Sequence, residues 1–145
     1  MKKIMWNIPK IKKEVTPKDI LIKYAKTLEE ETDGKLKGAI MQDYDSSCRV
    51  PIFRYSFHIN VKVDTNPYIA NTFEYKLFEV KQSIEQVDSD EPKSFIYPLR
   101  LEVYLYNETK RFFIESETMF EKTLDEIVSS NYIGDLLSYL LRISI

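Results

Sequence analysis

The chain has 145 residues, of which 43% are hydrophobic and 30% charged, with one His, one Cys and only three Gly. This is the composition of a single folded domain that buries a core without disulfides or metal staples, and it lacks the low hydrophobicity of disordered chains. A net charge of −2 and a pI near 5.6 give no overall basic field, while the scarcity of His and Cys starves metal centres and imidazole-dependent catalysis of side chains.

Residues 1–15 read as a basic N-terminal arm, because Lys2, Lys3, Lys10, Lys12 and Lys13 all precede the first acid, Glu14. Asn7, Pro9 and Lys10 interrupt its apolar stretch before a signal peptide forms, so the arm is expected to belong to the mature protein. Residues 16–145 then form one α+β domain. Thr16-Pro17-Lys18-Asp19 is a helix start, with Thr16 as N-cap and Pro17 at the first helical position. Ile20, Leu21, Tyr24, Ala25 and Leu28 recur at helical spacing and predict a helix over 17–32, which Asp33-Gly34 ends.

A first strand is expected over 35–44, weakened by Gly38 and Ala39. Asp43 and Asp45 lie two apart and offer oxygens to a hard cation, but Asp43-Tyr44-Asp45-Ser46-Ser47 has the make-up of a polar turn, and no calcium-loop spacing follows. The second strand is the clearest element. Phe53, Tyr55, Phe57, Ile59, Val61 and Val63 alternate with Arg54, Ser56, His58, Asn60 and Lys62, the pattern of a sheet with one greasy and one wet face. Asp64-Thr65-Asn66-Pro67 is expected to close it.

The third strand, roughly 70–86, changes phase. Phe73, Tyr75 and Leu77 share one parity, and Phe78, Val80 and Ile84 share the other. Either a bulge re-aims the strand near Leu77 or both faces are covered there. Residues 85–94 read as a polar loop. The fourth strand follows, with Leu99, Leu101, Val103 and Leu105 inward, Arg100, Glu102, Tyr104 and Tyr106 outward, and Pro98 at its beginning or on an edge. Residues 111–114 form a short strand or a lead-in. Ser116 caps a helix that carries Phe120, Leu124, Ile127 and Val128, and a last helix starts near Ser130 or Asn131 with Ile133, Leu136, Leu137, Leu140 and Leu141.

No helix separates consecutive strands, so short turns imply antiparallel pairing. The expected fold class is α+β, a four-stranded antiparallel meander with one N-terminal and two C-terminal helices packed on one face, leaving the other face open.

No motif names a reaction. Cys48 has only His58 as a possible base, the Gly-rich phosphate loops are absent, and Glu102 with Glu74 or Glu79 is a carboxylate pair that nothing in the spacing singles out. No catalytic residue, metal or cofactor is therefore expected. The composition suits a non-enzymatic protein-binding module, an adaptor, an immunity-type inhibitor or a self-associating subunit, that uses the open sheet face. Its contact residues are expected to be Arg54, His58, Asn60, Phe78, Arg100, Glu102 and Tyr104, and its partner another protein or a second copy. One alternative is a small-molecule site between sheet and helices, with Tyr hydroxyls and His58 as polar contacts. Another is nucleic-acid binding by the sheet face and the Lys-rich arm, which the acidic total disfavours. A lone Cys and the lack of a membrane-length apolar run suit the cytoplasm, and small size with high Lys and Ile content suits a bacterial chain.

Overall fold

Period-two alternation at the centre of the chain builds the sheet, and the sheet decides where the helices lie. In the computed structural model, which describes residues 4–6, 15–45, 52–66, 69–82 and 97–145, helix α1 (Pro17–Glu31) is followed by β1 (Leu36–Asp45), β2 (Ile52–Asn66), β3 (Ile69–Gln82), β4 (Leu99–Tyr104) and β5 (Thr109–Ile114), then by α2 (Glu117–Val128) and α3 (Asn131–Ile143). The strands pair antiparallel in chain order, β1-β2-β3-β4-β5. Most of the Lys-rich arm, Cys48, Pro67, Ile84 and the 85–94 segment lie outside the described residues.

The sheet thus has five strands rather than four. Residues 109–114 pair with all of β4, from Tyr104 opposite Thr109 to Leu99 opposite Ile114. The Leu105 amide donates to the Glu108 carbonyl at 2.9 Å and closes the connecting hairpin. Phe112-Phe113-Ile114 is an apolar run without a period, so only its pairing partner reveals it as a strand.

The phase change in β3 is a bulge. Phe57 faces Phe78 but His58 faces Lys76, which leaves Leu77 as an extra residue. A bulge sets two successive residues against one and re-aims the strand. Leu77 and Phe78 are accordingly both buried, at 2% and 1% exposure. The Phe78 ring stacks on Phe57 with centroids 5.0 Å apart.

Leu99, Leu101 and Val103 of β4 and Phe57, Ile59 and Val61 of β2 form the greasy side, covered by Ile20, Leu21 and Ala25 of α1, Phe120 and Leu124 of α2, and Ile133 and Leu140 of α3. At Gly38 α1 comes close to the sheet: a Cβ there would lie 2.6 Å from the Ala25 Cβ and 2.7 Å from its Cα. The residue that weakens β1 as a strand is the one that lets a helix touch it. Thr16 and Asp19 form a reciprocal capping box on α1, and Ser116 and Ser130 cap α2 and α3 through the amides of Met119 and Ile133. Gly34, at φ 78°, follows the helix as a left-handed residue. At the far end the chain returns to the sheet, where Val63 bridges Ser144 and the Ile145 amide donates to the Lys62 carbonyl at 3.0 Å.

Candidate functional site

The register fixes which side chains stand together on the open face. Outward residues alternate along each strand, and pairing lines them up across all five strands into two rows. One row reads Asp43, Arg54, Lys81, Arg100, Phe113; the next reads Met41, Ser56, Glu79, Glu102, Arg111. Arg54, Lys81 and Arg100 are three cations directly opposite one another on adjacent strands, an arrangement that repels itself. Asp43 meets Arg54 at 2.8 Å, but the buried Arg54 Nε has no hydrogen-bond partner. Among the described residues no ion pair holds Lys81 or Arg100.

The neighbouring row is anionic and largely satisfied. Lys76 Nζ lies 2.6 Å from Glu79 Oε2 and Arg111 Nε lies 3.4 Å from Glu102 Oε1. The Tyr104 hydroxyl stands between the two carboxylates, 3.3 Å from Glu79 and 3.5 Å from Glu102. The Lys76 ammonium also sits 5.2 Å from the centre of the Tyr104 ring. The hydrogen bond to Glu79 raises the Lys76 pKa, while burial, then the Glu79 charge, raises that of Tyr104. With a cation on each, Glu79 and Glu102 form a closed polar network rather than a free acid–base couple.

Six of the seven contact residues expected from the sequence belong to this face. Arg54, Arg100, Glu102 and Tyr104 fall on or beside the two rows. His58 is outward but only 8% exposed, its Nδ1 2.7 Å from Glu74 Oε1 without hydrogen-bond alignment, and Asn60 Oδ1 is likewise buried and unpartnered. Phe78 is the exception: the bulge turns it into the core against Phe57, so it has no surface to offer. Lys81 and Phe113 were missed. Carrying the alternation past the bulge places Lys81 outward, whereas Phe113 needs the pairing of 109–114 with β4, which the sequence leaves open between a short strand and a lead-in.

A cleft lies on the covered side, between α1 and the α2–α3 pair. This cleft of about 380 Å³ has Phe57, Ile59, Leu77 and Phe78 as its floor and Leu28, Val128, Ile133 and Leu137 as its walls. Its rim carries Lys23, Glu31, Glu121 and Asp125. The Tyr24 hydroxyl ties α1 to α2, donating to the Asp125 carboxylate with the Glu121 carbonyl 3.3 Å away. Burial and then Asp125 hold this phenol well above its usual pKa. His58 is on the opposite side of the sheet and contributes nothing to the cleft, so of the polar contacts expected for a pocket only a tyrosine is present.

Among the described residues no group of three His, Cys, Asp or Glu side chains converges as a metal site, and no helix is long and apolar enough to cross a membrane. Comparison of the chain with protein families, with curated proteins and with solved structures returns no match.

Proposed function

We propose that the chain is a non-enzymatic protein-binding module whose contact surface is the open face of the sheet. The observation that carries this reading is the row Arg54–Lys81–Arg100, three mutually repelling cations ending on the 40% exposed Phe113. A protein that gains nothing from such a row would be expected to break it with neutral residues. A partner presenting a line of carboxylates relieves the repulsion, and Arg beside an exposed aromatic is the type of anchor found at interface centres. The satisfied row next to it repels the wrong register and fixes orientation. Adaptor, inhibitor and self-associating subunit all fit this surface, and we place its action in the cytoplasm, where a lone Cys48 meets no oxidising partner.

The test compares the full chain with its Lys81→Glu/Arg100→Glu variant by sedimentation across a concentration series and by affinity capture from its native lysate. Association or capture by the parent that disappears in the folded variant is the expected result. A parent that stays monomeric and captures nothing overturns the reading.

The cleft favours a second reading, a small-molecule site, since its volume falls at the lower end of the roughly 300–1,000 Å³ usual for ligand pockets and its lining is apolar with few polar groups. Binding of an apolar fluorescent dye that is lost on Leu137→Arg supports it. No dye binding removes it.

A further inference from the structure

Two features of this chain that neither reading joins are complementary. Ile4, Met5 and Trp6 are 81%, 83% and 80% exposed, a run of three large apolar side chains in water. Contiguous exposed apolar groups of this kind mark contact surfaces. In the sequence this run is preceded by Lys2 and Lys3 and followed by Lys10, Lys12 and Lys13. The cleft is its counterpart, with an apolar floor and walls and a rim where Glu31, Glu121 and Asp125 outnumber Lys23.

Reach allows the two to meet within one molecule. The ten residues from Trp6 to Thr16 span up to about 33 Å when extended. The cleft-lining part of α1 begins at Lys23, roughly 9 Å along the helix from Pro17. We propose that Ile4–Met5–Trp6, exposed in this structure, docks in solution into the cleft between α1 and α2–α3 of its own chain, where the acidic rim of Glu31, Glu121 and Asp125 suits a segment of Lys-rich sequence. The docked segment covers the apolar walls, and a small ligand has to displace it to enter. This inference goes beyond the sheet-face reading and stands apart from it, because the cleft and the cationic row are on opposite sides of the sheet.

Trp6 is the only tryptophan, so its fluorescence in the full chain reports the contact without a label. The expected result is a blue-shifted emission, protected from acrylamide and independent of protein concentration. In Glu31→Lys/Glu121→Lys the emission shifts to the red and quenching rises, while far-ultraviolet circular dichroism and the thermal midpoint show the fold intact. Val128→Lys places a cation on the cleft wall at a 36% exposed position and gives the same loss of protection if the double variant does not fold. A solvated emission in the parent, unmoved by either variant, overturns the proposal. Protection that grows with concentration also overturns it, by assigning the cleft to the arm of a second copy. Arg100→Glu leaves the Trp6 signal unchanged, which keeps this result distinct from a failure of the sheet-face reading.

Discussion

The two sides of the same strands obey different rules. On the covered side, Phe57 and Phe78 stack, Leu99, Leu101 and Val103 are sealed beneath helices, and burial supplies the free energy of the fold. On the open side, Arg54, Lys81 and Arg100 stand in line although their mutual repulsion opposes the pairing that brings them together. Stability therefore resides on one face and the proposed recognition surface on the other, and a substitution that damages one should leave the other nearly untouched.

The sharpest way to break this division is Phe78→Ala. Truncating a fully buried aromatic is expected to lower unfolding free energy by about 3–5 kcal/mol in urea titrations. A loss below about 1 kcal/mol would return Phe78 to the surface and undo the reading of the bulge. Gly38→Val comes next. Its new Cβ would meet the backbone of Ala25 as well as its side chain, so α1 has to lift, at an expected cost of about 1–3 kcal/mol.

The covered side also predicts an alkaline response. Burial raises Tyr24, and it raises Tyr75 and Tyr97 to about 12, with help from Tyr132 and from Glu117 and Glu121 respectively. A phenol that keeps its proton longer folded than unfolded stabilises the fold fully below its ordinary pKa of about 10 and loses that contribution as pH rises towards the folded value. Stability should accordingly fall above pH 10, and Tyr24→Phe should flatten the fall, as followed by urea midpoints across that range. The smallest expected effect is on the open side. Arg100→Glu should change stability by no more than about 0.5 kcal/mol, as an exposed position without a buried partner does, while it disrupts association in the sedimentation assay. A loss of several kcal/mol with association intact would reverse the assignment of the two faces.

Much of this arrangement was legible in the residues. Thr16 with Asp19, Ser116 and Ser130 marked helix starts because caps satisfy amides locally and need no tertiary partner. The alternation of β2 separated Arg54 and His58 from Phe57 and Ile59 for the same reason, since side-chain parity is a property of one strand. Phe78 was misplaced because a bulge is a relation between two strands: the sequence showed a change of phase but not which neighbour would absorb it. Residues 111–114 stayed open between a short strand and a lead-in because an edge strand with one buried residue, Ile114, has almost no period of its own. Gly38 looked like a defect in β1 and is a seat for α1.

What the chain determined by itself is whatever a single segment can settle: helix limits, strand parity, and antiparallel pairing where the connection is short, as between β2 and β3 and between β4 and β5. Tertiary structure decided the rest, namely that Leu77 and Phe78 turn inward together, that three cations from three strands share one row, and that a cleft opens between helices distant in sequence. Each of these depends on register or on helix placement, and both are set by packing between segments whose separation along the chain exceeds the reach of any local pattern.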